Sequence, residues 1–132
     1  MTLAKPCIAI VDDEASVRTA IGRLLRLGDY VVLAFASGEE FLASLSARLP
    51  QCVVLDVHMP GLSGLDVMCR LRKEHIDVPV ICITASDDLA LDAKTAAAGS
   101  IRLLRKPFSN AALLDAVRFA IGSDRSDDDA RA

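Results

Sequence analysis

The sequence lacks three features that mark common functional classes. No apolar run approaches the roughly 20 residues needed to cross a bilayer, and the opening MTLAKPCIAI has neither a long apolar signal core nor a small-residue cleavage site. Basic residues number 15 against 18 acidic ones, so the chain has no basic excess for nucleic acid phosphates. We therefore expect a cytoplasmic protein with no membrane contact and no direct contact with nucleic acid.

Cysteine is present without the spacing of a metal site or a redox motif. Cys7, Cys52 and Cys82 each lie inside an apolar run, and no C-x-x-C or Cys/His ligand pattern occurs. Buried free thiols fit this placement and agree with a reducing compartment.

The length of 132 residues leaves room for one folded domain, which we place at residues 1–122. The ending SDRSDDDARA, residues 123–132, has no core-forming residue and is rich in aspartate. We expect it to be a disordered tail or an interdomain linker.

What the chain does contain is a fivefold alternation of short β-rich apolar runs and segments of helical period. The strands are predicted at 7–11, 30–36, 52–56, 78–84 and 100–104. The pattern indicates an α/β domain, and we predict a flavodoxin-like (βα)5 fold with a doubly wound, five-stranded parallel sheet in the order 2-1-3-4-5.

Helices are predicted from apolar spacing and from capping residues. Ser37 with Glu40 fits a capping box, Ser63 with Asp66 a looser version, and Ser109 can cap the last helix. The segment 87–98 has an apolar face made mostly of alanine, so we expect it to pack least tightly. The apolar faces of the other helices are Val17, Ile21, Leu24 and Leu25; Leu42, Leu45 and Leu49; Met68 and Leu71; and Leu113, Leu114, Val117 and Ile121.

Polar side chains follow four of the five predicted strands. Asp12 and Asp13 come after the first strand, Asp56 ends the third, Thr84 ends the fourth and Lys106 lies just past the fifth. Ligands of a doubly wound sheet bind at the carboxyl ends of the strands, where the strand order reverses. We therefore expect the three carboxylates to meet at this edge.

Three clustered carboxylates repel one another and raise at least one pKa unless a cation is present. Oxygen ligands with few carboxylates suit Mg²⁺, which shares its coordination shell readily with phosphate. The ammonium of Lys106 and the hydroxyl of Thr84 suit phosphoryl oxygens. The constellation predicts transfer of a phosphoryl group onto Asp56.

Each of these residues also has a plainer explanation when taken alone. Asp12 and Asp13 could cap the first helix, Thr84 could be an ordinary β-branched strand residue, and Lys106 with its proline could be turn chemistry. Their coincidence at strand ends favours the functional interpretation. Arg102 and Arg105 are interpreted as charges on an edge strand that discourage aggregation.

Four motifs in order, each at a predicted strand end, resemble the receiver domain of bacterial two-component response regulators. They are VDDE (11–14), LDVHMPGLSG (55–64), ITAS (83–86) and RKPF (105–108), and the resemblance covers residues 5–122. MPGLSG, the following LDV and the KPF ending are most similar to the NarL/FixJ group of transcriptional regulators.

The resemblance implies a role for each site residue. Asp56 would accept phosphate from a sensor histidine kinase. Mg²⁺ would be held by Asp12, Asp13 and Asp56 together with the backbone carbonyl of His58.

Thr84 and Lys106 would contact the phosphoryl group and relay its arrival to the face of the fourth helix and fifth strand, through which a phosphorylation-dependent homodimer would form. The peptide bond before Pro107 would be cis. Such a protein is not an enzyme beyond catalysing its own phosphorylation and dephosphorylation.

Two residues depart from, or add to, the family pattern. Receiver domains commonly have an aromatic residue three positions before the lysine, and this chain has Leu103 there. A leucine or backbone shift would then have to replace the aromatic rotamer. His58 lies beside the phosphorylation site, and we hypothesise that it tunes the lifetime of the phosphate.

Alternative functions remain open. A phosphohydrolase of the haloacid dehalogenase type also uses Asp, Mg²⁺, Thr or Ser, and Lys, but the second residue after Asp56 is His58 and no acid/base carboxylate stands there. A receiver that binds a protein partner without phosphorylation is a further alternative. The domain could stand alone or precede a helix-turn-helix output domain.

Overall fold

The computed structural model describes the backbone of residues 5–131 and the side chains of residues 5–122. Five strands and five helices alternate along the chain. The strands are β1 (Cys7–Val11), β2 (Val31–Phe35), β3 (Cys52–Asp56), β4 (Val80–Thr84) and β5 (Ser100–Arg105). The helices are α1 (Ala15–Leu27), α2 (Gly38–Ser44), α3 (Gly64–Lys73), α4 (Leu89–Ala97) and α5 (Asn110–Arg131).

The strands form one parallel sheet in the order β2-β1-β3-β4-β5. The predicted fold class and strand order are confirmed. Every residue of β1, β3 and β4 is buried, because both faces of these central strands are covered by helices. β2 and β5 are the edges and are only partly buried.

Two apolar layers sandwich the sheet because successive strand residues point to opposite faces. On one face Ile10 and Val54 pack with α1 and α5, through residues such as Leu25 and Leu113. On the other face Val53 packs with α2 and α3, whose side chains Phe41 and Val67 fill this layer. The alternation fixes which of the two layers each strand residue joins.

Strand boundaries differ from the predicted ones by one or two residues. β2 begins at Val31, since the backbone N–H of Tyr30 donates to the carbonyl of Leu25 and so closes the end of α1. β4 begins at Val80, after Pro79, which has no N–H to donate to a ladder. β5 extends one residue further than predicted, to Arg105.

The predicted capping residues lie at helix starts. The Ser63 side chain accepts from Asp66 N and Asp66 accepts from Ser63 N, so the looser version forms the complete capping box. Ser37 accepts from Glu40 N, but the Glu40 carboxylate accepts from the Ser37 hydroxyl instead of the backbone. Ser109 accepts from the N–H of Ala112 at 3.0 Å.

One helix prediction is wrong at its end. The spacing of Leu42, Leu45 and Leu49 predicts one apolar helix face, but α2 ends at Ser44 with Leu45 as its C-cap. Leu49 lies beyond the helix and is 53% exposed. The chain must turn toward the buried β3, and Pro50 follows directly, which disfavours a helical conformation at Leu49.

Two further sequence expectations concern α4 and the chain end. α4 is shorter than the predicted 87–98 and buries little, as its alanine-rich face implies. The backbone of α5 continues through residues 123–131, while their side chains lie outside those that the structure describes, so the expectation that the segment is a tail or an interdomain linker stays a prediction. Within the described part of the chain, no helix is both long enough and apolar enough to cross a membrane.

Gly64 provides a test of the packing between β3 and α3. A Cβ atom at this position would lie 2.6 Å from the carbonyl oxygen of Asp56 and 2.8 Å from the Cα of Val57, both backbone atoms. We predict that Gly64→Ala lowers the free energy of unfolding by about 1–3 kcal/mol. Urea denaturation measures it, with Gly122→Ala as control, since a Cβ there has no heavy atom within 4 Å.

Candidate functional site

The candidate site lies at the carboxyl edge of the sheet, where the central strands end. Asp56 is the last residue of β3 and Thr84 the last of β4, while Asp12 directly follows β1. All three are almost completely buried. β1 and β3 are neighbours in the sheet and their connections run to opposite faces, so the edge between them is the point where strand order reverses.

The structure brings the three predicted carboxylates together. Asp12, Asp13 and Asp56 each offer one oxygen, and these oxygens lie within 4.8 Å of one another. Asp13 is exposed and opens the cluster to solvent, whereas the other two carboxylates are enclosed. The cluster is thus enclosed at Asp12 and Asp56 and open to solvent at Asp13.

Lys106 is the cation of this cluster. Its Nζ lies 3.1 Å from Oδ2 of Asp12 and 3.6 Å from Oδ2 of Asp56. It also lies 3.7 Å from Oε1 of Glu14, an exposed residue. Its backbone N–H donates to the carbonyl of Thr84 at 2.7 Å, which anchors Lys106 to the end of β4. The peptide bond between Lys106 and Pro107 is cis, as the resemblance implied.

Backbone N–H groups hold the two buried carboxylates in place. The N–H of Glu14 donates to Oδ1 of Asp12 at 2.9 Å, and the N–H of His58 donates to Oδ1 of Asp56 at 3.2 Å. Each carboxylate therefore has a fixed orientation before any ligand arrives. The guanidinium of Arg18, on α1, donates to the backbone carbonyl of Asp12 at 2.8 Å and fixes the loop after β1.

Burial makes Asp56 a weaker acid than an ordinary aspartate. The pKa of Asp56 is raised from its usual 3.8 to about 6, chiefly by burial and next by the charge of Asp12, while Lys106 and the His58 N–H oppose the rise. Burial alone would lower the pKa of Lys106, but its hydrogen bond to Asp12 and the charge of Asp56 raise the pKa overall. The site therefore carries an excess of negative charge at neutral pH.

Thr84 lies beside the loop that follows β4. Its Oγ1 accepts a hydrogen bond from the N–H of Ser86 at 3.0 Å, and the hydroxyl proton remains available for another acceptor. Thr84 pairs with Arg105 across the β4–β5 ladder, directly before Lys106. The two predicted phosphoryl contacts therefore belong to adjacent, hydrogen-bonded strand ends.

The donor set fits Mg²⁺. Three clustered carboxylates supply the hard oxygen ligands that this ion prefers, and the exposed side of the cluster leaves room for the waters it retains. The excess negative charge and the raised pKa of Asp56 are what a divalent cation would relieve. That the backbone carbonyl of His58 is a further ligand of Mg²⁺ stays a prediction.

Sequence reasoning missed the side chains that surround these residues. Glu14 and Arg18 were not singled out, although both follow the acidic pair closely in the sequence. Arg105 was interpreted as a charge that protects a sheet edge, and in the structure it forms an ion pair with Asp92 of α4. Arg102 stacks on the ring of Phe119 at 3.7 Å. The acidic residues of the segment before β5 were the available signal for an ion pair with Arg105. Which of them forms it is decided by the packing of α4.

Comparison with known proteins gives a consistent result. Residues 8–118 match the response regulator receiver domain family. Nodulation protein W of Bradyrhizobium diazoefficiens is 38% identical over 121 residues, which are 92% of this chain and 53% of that protein. Transcriptional regulatory protein TdiR of Thauera aromatica is 36% identical over 118 residues, 89% of this chain and 52% of that protein. The chain thus spans about half the length of these relatives.

A solved structure agrees with these relatives. The response regulator receiver protein of Burkholderia phymatum is 45% identical to this chain and superimposes with a TM-score of 0.80. The match covers 89% of this chain and 96% of that one.

The raised pKa of Asp56 predicts how stability depends on pH. The folded state holds the Asp56 proton more tightly than the unfolded state, so its contribution is complete below about pH 4 and is lost as the pH rises through about 6. The full penalty is about 3 kcal/mol. We predict that Asp56→Asn raises the metal-free unfolding free energy at neutral pH by about 1–3 kcal/mol, and that this gain shrinks toward pH 4.

Urea denaturation between about pH 4 and 8 measures this difference. Asp77→Asn is the control, because it removes an exposed carboxylate outside the cluster. Added Mg²⁺ should stabilise the wild type more than Asp56→Asn. An Asp56→Asn protein no more stable than the wild type at neutral pH would contradict the prediction.

Proposed function

The chain belongs to the response regulator receiver domain family, and on this basis we propose that it is the phosphoacceptor switch of a two-component system. A sensor histidine kinase transfers a phosphoryl group to Asp56 with the help of Mg²⁺. The observation that carries the proposal is the enclosed Asp56 carboxylate, which forms one cluster with Asp12, Asp13 and Lys106.

The proposed step is an in-line displacement at phosphorus. An oxygen of the ionised Asp56 carboxylate forms the new O–P bond while the N–P bond of the phosphohistidine breaks, and the imidazole leaves with the electron pair. The N–H of His58 holds one oxygen of the carboxylate in place. Mg²⁺, when bound to the three carboxylates, supplies the charge neutralisation that this step requires.

Lys106 and Thr84 have complementary roles in this proposal. The ammonium of Lys106 exchanges its contact with Asp12 and Asp56 for the more negative phosphoryl oxygens, and it loses no favourable charge in doing so. Thr84 offers the proton of its hydroxyl to the same group while it keeps the hydrogen bond from Ser86. Both contacts exist only after phosphorylation, so they favour a rearranged conformation.

We place the receiver domain at residues 1–122 and a linker or tail at 123–132. The face of α4 and β5 is proposed to change on phosphorylation and to control a homodimer or an output domain. Transcription is the proposed output, because one relative is a transcriptional regulatory protein and is about twice as long as this chain. We retain the NarL/FixJ grouping and a cytoplasmic location as parts of the same proposal, and we assign no turnover beyond the protein's own phosphorylation and dephosphorylation.

Phosphorylation of Asp56 is tested with a small phosphodonor. The protein is incubated with Mg²⁺ and acetyl phosphate, and its mass and oligomeric state are measured by intact-mass spectrometry and light scattering. We expect the wild type to gain the mass of one phosphoryl group and Asp56→Asn to gain none, because an amide oxygen is a poor nucleophile. A change in oligomeric state that depends on Asp56 would support the proposed dimer.

Asp77→Asn is the matched control and should behave as the wild type, since Asp77 lies outside the cluster. No change in mass or oligomeric state of the wild type, with acetyl phosphate or with beryllofluoride, would refute the switch. Steady hydrolysis of a phosphate ester by the pure protein would favour the phosphohydrolase alternative instead.

His58 provides a separate prediction about phosphate lifetime. Its side chain is exposed and its backbone N–H is bonded to Asp56, so a titratable imidazole belongs to a residue that contacts the phosphorylation site directly. We predict that His58→Ala changes the half-life of the aspartyl phosphate in a manner that varies between about pH 6 and 8. Loss of phosphate from the isolated phosphoprotein measures the half-life, and equal half-lives across that range would contradict the prediction.

A further inference from the structure

Arg105 joins three segments of the chain with one side chain. It is the last residue of β5. Its Nε donates to the backbone carbonyl of Ser86, in the loop after β4, at 3.1 Å. Its Nη2 lies 2.6 and 2.7 Å from the two carboxylate oxygens of Asp92, on α4. A contact between the edge strand, the loop and the helix therefore passes through this guanidinium.

The loop held by Arg105 is also bonded to the candidate phosphoryl contact. The N–H of Ser86 donates to Oγ1 of Thr84, and the carbonyl of the same residue accepts from Arg105. A shift of Thr84 toward a phosphoryl group on Asp56 would move residues 84–86 and change the geometry at the Ser86 carbonyl. Hydrogen bonds weaken steeply as their angle falls, so a small movement is enough to alter this contact.

α4 has few other interactions to hold it in place. Of its nine residues, all of which are described, Thr95 alone is buried, and the side chain of Leu89 is exposed. Arg72 of α3 donates to the carbonyl of Ala97 at the other end of the helix. The helix is thus held by Arg105 at Asp92, in its first half, and by Arg72 at its last residue, with little apolar packing besides.

We propose that Arg105 couples the phosphorylation site to α4. Movement of Thr84 and Ser86 after phosphorylation changes the Arg105 contacts, and the altered ion pair with Asp92 changes how α4 is held on β5. The proposal rests on the proposed function and concerns how that site is read out.

The neighbouring Leu103 does not provide such a polar link. Leu103, two residues earlier on the same strand, packs against the apolar core with a side chain that forms no hydrogen bond. Ion pairs with partly exposed side chains shift an equilibrium by about two- to fivefold. A weakly packed helix with closely balanced positions responds to a bias of that size.

The test is hydrogen–deuterium exchange in residues 89–97 of the full chain, with and without Mg²⁺ and beryllofluoride. Asp92→Asn removes the charge of the helix partner, and Arg105→Lys keeps the positive charge but loses the planar fork in which Nε contacts Ser86 and Nη2 contacts Asp92. Asp87→Asn is the matched control, because its side chain is 99% exposed and lies further from Arg105, at 3.7 Å. Fluorine NMR of the bound fluorides measures loading of Asp56.

We expect Asp92→Asn and Arg105→Lys to load as the wild type does, and their α4 amides to exchange about two- to fivefold faster before loading. The further change that loading produces in the α4 of the wild type should be absent in both variants and intact in Asp87→Asn. An α4 response in Asp92→Asn equal to that of the wild type would overturn the coupling alone. A wild type that never loads would overturn the proposed function, and the coupling with it.

Discussion

The contact between the Lys106 ammonium and the carboxylates of Asp12 and Asp56 is the interaction on which the site depends. Two enclosed carboxylates are unfavourable because burial removes their hydration and each repels the other. Lys106 lies 3.1 and 3.6 Å from them and offsets part of this repulsion, but the pKa of Asp56 still rises to about 6. The folded chain therefore retains an unfavourable excess of negative charge at this edge of the sheet. A divalent cation or a rearrangement of Lys106 can relieve it.

The rest of the fold keeps these charged side chains enclosed in spite of their repulsion. β3 is buried along its whole length and ends at Asp56, so the carboxylate has a rigid strand behind it. The turn that follows is tight enough that Gly64 lies against the backbone of Asp56 and Val57, and the N–H of Gly64 donates to the Val57 carbonyl. Apolar burial on both faces of the sheet supplies the stabilisation that allows charged side chains to be enclosed at its edge.

Rigidity is distributed unevenly between the two sides of the site. α1 and α5 cover one face of the sheet with a continuous apolar layer. α4 buries only Thr95 among its nine described residues, and it is held by the ion pair at Asp92 and by a hydrogen bond to the carbonyl of Ala97. Weakly packed helices have low local unfolding free energies and change position readily. A change of charge at Asp56 would thus leave the layer of α1 and α5 in place and shift α4. A switch requires such a combination of a rigid part and an element that changes position.

Local patterns in the sequence predicted the elements of the fold and the candidate site residues. Apolar runs, helical spacing and capping serines depend on near neighbours, so they predicted the five strands, their order and the residues at their carboxyl ends. Strand and helix ends were less predictable, as Leu49 and Tyr30 show, because hydrogen bonds to neighbouring elements decide where an element stops.

The tertiary structure alone decided the contacts between distant residues. Lys106 and Asp12 are 94 positions apart in the sequence. Arg105 pairs with Asp92 only because α4 packs against β5. Such contacts, and the pKa values that follow from them, depend on burial and distance in three dimensions, which no local pattern specifies.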